Sequence, residues 1–310
     1  MEFEQFVEQV KNEVKELVGY EYSVSVNCVM KINRELQSLS ILKNGSELSP
    51  SVYLEDYFEE FKKGKSIRVI ASEIVHISRE RKQNMSSIID NISNYEWVRP
   101  RLRVKLINYQ KNEKLLKTIP HERFLDLAII PYIIISKDNG LMTTRVVYSL
   151  KEHWGITDEL LMKQAKENTI LMCPVIVDEM TDFILHAMLK ELDDVDSERD
   201  REILLKAVLN KDTSGKEMYI LTNEGNMNGA FAAFQTNELA ELTDQIGVDK
   251  LYILPSSIHE LIAVPATGIE PHKLQEMVRE VNCTQVPEED FLSDSIYQYC
   301  RISNQISIVG

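Results

Sequence analysis

Apolar residues at Phe3, Phe6, Val7, Val10, Val14, Leu17 and Val18 recur at intervals of three and four, which lays one stripe along a helix and predicts an amphipathic first element. From Tyr22 to about Leu42 the β-branched content rises and predicts strands, closed by Asn44-Gly45, a pair suited to the positive backbone angles of a tight turn. Ser49-Pro50 predicts the start of a helix through Tyr53, Leu54, Tyr57, Phe58 and Phe61, because proline is tolerated in a first turn whose N–H groups lack partners. A further helix is expected over Ile67 to His76.

Leu125 to Ile135 is an almost continuous apolar run, Asp138-Asn139-Gly140 punctuates it, and Met142 to Leu150 alternates on the far side, so a hairpin is expected. Pro131 cannot donate a ladder hydrogen bond and suggests an edge or a bulge in the first arm. Thr157 is placed to cap a helix through Leu160, Leu161 and Ala165 to Asn168. Helices are also expected over Met180 to Leu192 and Ile203 to Leu209, with the charged stretch Asp193 to Asp200 between them.

Beyond Ser214-Gly215, Tyr219-Ile220-Leu221 recurs 33 residues later as Tyr252-Ile253-Leu254, and Ala230 aligns with Ala263. Each copy reads as strand, turn, strand, helix, the helices being Glu238 to Ile246 and Pro271 to Val281; a hairpin from Tyr297 to Val309 around Ser303-Asn304 would complete a sheet. The fold expected is α+β: two lobes of mixed, mainly antiparallel sheet with packed helices, joined by a helical, acidic connector. The boundaries read as 1–168, 169–215 and 216–310.

Composition narrows the classes. With 44% hydrophobic and 27% charged residues over 310 positions, the chain resembles an ordinary globular protein and is long enough for two lobes. The uncharged runs richest in apolar residues, Leu127 to Ser136 and Asn168 to Val177, are about half of the ~20 residues a spanning helix requires. The first residues carry acid where a signal peptide carries base, so a cytoplasmic protein without membrane partners is expected. Cys28, Cys173, Cys283 and Cys300 are far apart and form no C-x-x-C pair, which suggests neither a disulfide framework nor a zinc site.

No phosphate-binding glycine loop is present among 11 glycines, and His121-Glu122 and His259-Glu260 each lack the second histidine of a metalloprotease helix. Asp194, Asp196, Glu198 and Asp200 fail as a calcium loop, because Arg199 and Leu205 stand where glycine and glutamate are needed. No cofactor or metal is therefore expected.

The densest polar cluster is Pro255-Ser256-Ser257-Ile258-His259-Glu260. A hydroxyl, an imidazole and a carboxylate are the parts of nucleophilic catalysis, but in an extended segment Ser257 and His259 stand roughly 6.5 Å apart at the backbone and Glu260 points the other way. The alternative is a hairpin corner whose serines satisfy free backbone groups. His121, Glu122 and Asp126 form a second group, in which Asp126 interrupts an apolar run and must be paired or hydrogen-bonded. Asn108 and Asn112 are read as backbone-bracing amides. Arg99, Arg101, Arg103 and Lys105 alternate with apolar residues and would put four cations on one strand face, a surface for nucleic acid or for acids of a neighbouring element. The net charge of -14 and the lack of interleaved aromatics favour the second.

Several motifs resemble the bacterial domain-of-unknown-function family 5688: Ser49-Pro50 with Tyr53-Leu54-Glu55, Leu106-Ile107-Asn108-Tyr109 with Asn112, Pro120-His121 with Phe124 to Ala128, and Leu254 to Glu260. Tyr219 to Asn223 with Gly229-Ala230, and Leu292-Ser293-Asp294 with Tyr297, are similar to it as well. A fainter similarity, in Trp154 to Thr157, in Ala165 to Asn168 and after Tyr252, is to the uncharacterised family 1444. The resemblance implies a bacterial intracellular protein and brings no catalytic residue with it. Asn223, at the end of its motif, is a candidate partner contact.

The function expected is that of a non-enzymatic binding, adaptor or regulatory protein that takes a protein or peptide in a cleft or along a strand edge. The rival is a small-molecule hydrolase centred on His259, and the third reading is nucleic-acid binding through Arg99 to Lys105.

Overall fold

The computed structural model describes residues 1–44, 51–136, 141–184, 218–233, 235–255, 257–268 and 270–309. The turns expected at Gly45 and at Asp138 to Gly140, Pro50, Ser256, the stretch Asp193 to Asp200 and the helix at Ile203 to Leu209 lie outside the described residues. Helices and mainly antiparallel sheets make the fold α+β. No helix among the described residues is long and apolar enough to cross a membrane.

The amphipathic first stripe forms α1 (Phe3–Val18), which buries Phe6, Val7, Val10 and Val14. They pack against a three-stranded antiparallel sheet of β1 (Tyr22–Met30), β2 (Glu35–Lys43) and β3 (Ser51–Tyr53). The helix expected from Pro50 starts later, as α2 (Glu55–Lys62), because Ser51 to Tyr53 pairs with Ser38 to Ser40 of β2. The next helix, α3 (Ile67–Ser93), also runs well beyond His76: the segment after the apolar stripe is rich in residues that a helix accommodates at little cost. Its Ile70, Ala71, Ile74 and Val75 close the core of this N-terminal unit.

After the short α4 (Tyr95–Val98) comes the central sheet. Its middle strand β6 (Leu127–Ser136) pairs along its length with β4 (Leu102–Asn108) and, on the other side, with β5 (Glu122–Phe124) and then β7 (Met142–Arg145). Pro131 therefore sits in an interior strand, against expectation. It is tolerated because its cross-strand neighbour Val104 donates its N–H to Thr169 Oγ1 at 2.9 Å, while Pro131 O accepts from Val146 N–H at 3.4 Å. The expected second hairpin arm ends early, at Arg145, and the chain turns into α6 (Tyr148–Trp154) after the short α5 (Glu113–Leu116) upstream. Thr157 caps α7 (Asp158–Met172) through the Leu160 N–H, at 3.2 Å.

The third sheet is antiparallel, in the order β13-β12-β10-β11-β9-β8: β8 (Val175–Glu179), β9 (Tyr219–Asn223), β10 (Lys250–Leu254), β11 (Leu261–Pro265), β12 (Tyr297–Cys300) and β13 (Gln305–Ile308). Val175–Glu179, within the segment read as connector, is thus one edge of the C-terminal sheet. The two copies of the 33-residue offset differ in build. The second gives β10, β11 and α10 (Pro271–Thr284), whereas after β9 the first turns directly into the helices α8 (Ala230–Ala233) and α9 (Thr236–Ile246). Between β9 and these helices the chain passes tightly against the β10–β11 link: a Cβ at Gly229 would stand 2.5 Å from His259 O and 2.7 Å from Thr222 Oγ1, so only glycine fits there. Gln235 accordingly flanks a helix, not a strand.

Alternation decides what each sheet face covers. Leu251 and Ile253 join Leu239, Leu242, Tyr297 and the inward face of the central sheet, Leu102, Val104, Leu106 and Ile133, in one core; Tyr252 and Leu254 turn to Leu274 and Val278 of α10. One buried cluster thus spans residues 98 to 299, and a separate one holds the N-terminal unit.

Candidate functional site

The segment Pro255 to Glu260 links β10 to β11, and the polar groups of Ser257 and His259 are engaged by neighbouring backbone and side chains. Ser257 Oγ donates to Glu260 Oε1 at 2.8 Å and accepts the His259 N–H at 3.0 Å. The His259 carbonyl accepts from Thr222 Oγ1 at 2.9 Å and from Gly229 N–H at 3.0 Å. The ring is fixed at both nitrogens. Nδ1 accepts the Asn228 N–H at 3.1 Å, which leaves the ring proton on Nε2, facing Asp290 Oδ1 at 3.0 Å. Each ring nitrogen has one bonding direction, so no hydroxyl, neither that of Ser257 nor any other among the described residues, is hydrogen-bonded to the imidazole.

The second predicted group lies elsewhere. The Asp126 carboxylate follows Leu125, whose φ of 56° turns the chain sharply into β6, and accepts three hydroxyls: Ser293 Oγ at 2.6 Å, Ser295 Oγ at 3.0 Å and Tyr297 OH at 2.6 Å. Burial, with the Asp126 charge and hydrogen bond, raises the Tyr297 phenol far above its ordinary range, so it stays a donor. This joint ties the central sheet to the C-terminal one. Glu122 pairs with Lys166, and His121 Nδ1 donates to Ile119 O at 3.1 Å beside the Tyr109 ring. Neither group contributes an atom to His259.

The bracing asparagines form a second joint. Asn33, at φ 63° in the β1–β2 turn, donates from Nδ2 to Glu288 O at 2.8 Å and Phe291 O at 2.7 Å. Asn112 Oδ1 accepts the Asn33 N–H at 2.8 Å and Asn112 Nδ2 donates to Asn33 Oδ1 at 2.7 Å, while Asn108 Nδ2 donates to Leu292 O at 2.9 Å. All three units of the fold therefore meet at one place. Asn223, the candidate partner contact, is buried and braces its own turn, accepting from Gly225 N–H and donating to Met227 O, both at 3.0 Å.

The four-cation stripe does not form. Pro100 sits in a 3-10 turn over Arg99–Arg101, so β4 begins only at Leu102. Arg99 is exposed, Arg101 lies 4.0 Å over the Trp97 ring, and Arg103 is buried and donates to Pro100 O and Leu102 O. Lys105 shares the β4 face of Arg103 and Ile107, opposite Tyr132 and Ile130 of β6, and that face opens into a cleft.

The cleft, about 640 Å³, lies where the three units meet. The β1–β2 turn contributes Lys31 and Arg34, β3 Tyr53, β4 Lys105, β6 Tyr132, β7 Thr143 to Arg145, and the C-terminal unit Asn228, His259, Glu289 and Asp290. The acids are already engaged: Glu289 with Arg34 at 3.3 Å, and Asp290 with His259. Lys31 lies 4.6 Å over the Tyr53 ring, Lys105 5.4 Å from the Tyr132 ring centre, and Arg145 donates to Met30 O at 2.9 Å. Among the described residues none of these three cations has a carboxylate within ion-pair distance, and Arg34 Nε is buried without an acceptor.

Burial, reinforced by the charges of Arg145 and Lys31 and opposed by Asp290, pulls the Lys105 amine down to about 8. Burial likewise pushes the Tyr132 phenol up to about 12 and lowers the Arg145 guanidinium. Sequence reasoning singled out Lys105 and His259 but not Lys31, Arg34, Tyr132, Arg145 or Asp290. A lysine at an alternating position inside an otherwise apolar strand was the available signal for the first; the others lie in segments that only the topology joins.

Comparison with curated proteins and with solved structures finds no match to either. The fainter likeness to family 1444 gains no support. The model of a family of unknown function, DUF5688, matches residues 3–301, nearly the whole length over which the two joints and the cleft are built, and the chain belongs to that family.

Proposed function

We propose that this is a binding protein whose three-way cleft takes a small anionic ligand, one carrying a carboxylate or phosphate group. The observation that supports it is the set Lys31, Lys105 and Arg145, gathered on the wall of one cleft and paired with no carboxylate among the described residues, the lining acids Glu289 and Asp290 being bonded to Arg34 and His259, in a chain of net charge -14. Cations held together on the half-buried wall of a cleft repel one another, and an anion bound among them relieves that repulsion. The size fits a small molecule, since ligand sites commonly span about 300–1,000 Å³. A protein or peptide along a sheet edge would leave these charges unused, and a serine hydrolase would need the His259 ring free for a nucleophile. The surrounding acidity disfavours a long polyanion such as nucleic acid.

The test is thermal denaturation of the full chain with inorganic phosphate, pyrophosphate, sulfate and small dicarboxylates at constant ionic strength. A ligand present at 100 times its Kd adds about 2.7 kcal/mol to the native state. At least one of these anions should raise Tm in a concentration-dependent way, Arg145→Gln should abolish the rise, and Lys105→Met should weaken it. No rise beyond that given by chloride would overturn the reading.

A further inference from the structure

Lys105 combines three properties in the cleft: it is a primary amine, half-buried, and placed on the central sheet itself. Lys31 sits on the rim turn over Tyr53, and the Arg145 guanidinium is held by Met30 O, but the Lys105 amine has no hydrogen-bond acceptor among the described residues and lies by the face of the Tyr132 ring. We infer that Lys105 is a nucleophile, and that the ligand of the cleft is an anionic carbonyl compound, an aldehyde or ketone bearing a phosphate or carboxylate, held as an imine on Lys105 Nζ. The inference rests on the anion-binding reading above and names the chemical class of its ligand.

Three features support it. An amine attacks only in its neutral form, and desolvation beside other cations favours that form, a recognised way of activating a lysine. The groups facing Lys105 from every side are weighted that way: Lys31 and Arg34 from the β1–β2 turn, Tyr53 from β3, Tyr132 from β6, Arg145 from β7, and His259, Glu289 and Asp290 from the C-terminal unit, with Glu289 and Asp290 engaged by Arg34 and His259. The amine lowered to about 8 is therefore partly neutral near pH 7. Finally, Lys31 and Arg145 supply separate charges for the ligand's anionic group, so binding it does not require the Lys105 amine to stay protonated.

The step balances without any other reactant. The Nζ lone pair forms a bond to the carbonyl carbon, giving a carbinolamine; both amine hydrogens then leave with the former carbonyl oxygen as water, and the C=N bond remains. Nothing is oxidised or reduced, and hydrolysis returns amine and ligand, so the site holds its ligand reversibly.

Pyridoxal 5′-phosphate, an aldehyde with a phosphate group, is the probe. The full chain is incubated with it at pH 7.5, reduced with borohydride and mapped by peptide mass spectrometry. Lys105 should be labelled at least tenfold faster than the exposed lysines, and Arg145→Gln should slow it. Lys105→Arg keeps the charge but cannot form an imine: it should retain the phosphate-dependent rise in Tm and lose the adduct. Labelling spread over exposed lysines with no enrichment at Lys105, in a protein whose Tm still responds to phosphate, overturns the imine and leaves the anion site standing. Loss of both responses overturns both.

Discussion

Asp126 and Lys105 are both ionisable groups on the central sheet, and the protein treats them in opposite ways. Around Asp126 the C-terminal unit supplies three hydroxyls, two of them on the buried residues Ser293 and Tyr297, so the carboxylate is fully engaged within the chain. Around Lys105 stand the cations Lys31, Arg34 and Arg145, the Tyr132 ring, and two acids, Glu289 and Asp290, that are already bonded to Arg34 and His259. A charge satisfied by its own chain marks a joint, whereas one withdrawn from water and left unmatched marks a place for something from outside. His259 belongs with Asp126 in this contrast. Although it lines the cleft, both its nitrogens are committed to holding the Asn228 turn and Asp290 in place.

The contrast can be broken at either end. Asp126→Ala should have the larger effect, since it leaves the Tyr297 and Ser293 hydroxyls without their acceptor; buried donors stranded in this way cost about 1–3 kcal/mol each. We expect a loss of roughly 3 kcal/mol in urea denaturation, with the midpoint moving and the slope unchanged. An effect below about 1 kcal/mol would mean that the joint is not what holds the two sheets together.

Lys105→Met should act in the other direction. In the unfolded chain this lysine titrates near 10.4, and in the folded one near 8, so at neutral pH the folded state carries a penalty for the charge that the variant lacks. In the absence of ligand the variant should be more stable at pH 7 by on the order of 1–3 kcal/mol. The penalty is fully present below pH 8 and fades as pH rises towards 10.4, so the two proteins should converge in stability across that window. A variant less stable than its parent at pH 7 would make Lys105 a structural cation and remove it from the binding account.

How much of this was legible in the sequence depends on how local the cause is. The stripe of α1, the Thr157 cap, the apolar run of β6 and the closing hairpin follow from neighbours a few residues apart, and all four formed. The need for Asp126 to find partners was likewise legible, though its partners, more than 160 residues away, were not. The misreadings have a common origin in backbone geometry. Pro100 turns the chain before β4 and scatters the arginines; three residues of β3 are recruited by β2 against a helical pattern; and the first half of the apparent repeat turns into helices after the close approach at Gly229. The cleft draws on segments near residues 31, 105, 145, 259 and 290, which no spacing rule connects. Its chemistry depends on an absence, among the described residues, of carboxylates paired with Lys31, Lys105 or Arg145, which only three-dimensional packing reveals.

The most direct test of that absence is the titration of the Lys105 amine itself, followed by NMR in the isotopically labelled protein and assigned by loss of its signal in Lys105→Met. The account predicts a midpoint near 8 in the free protein and a clear upward move when saturating inorganic phosphate is added, as an anion takes its place among the cations. A midpoint near the ordinary 10.4, unmoved by phosphate, would contradict it.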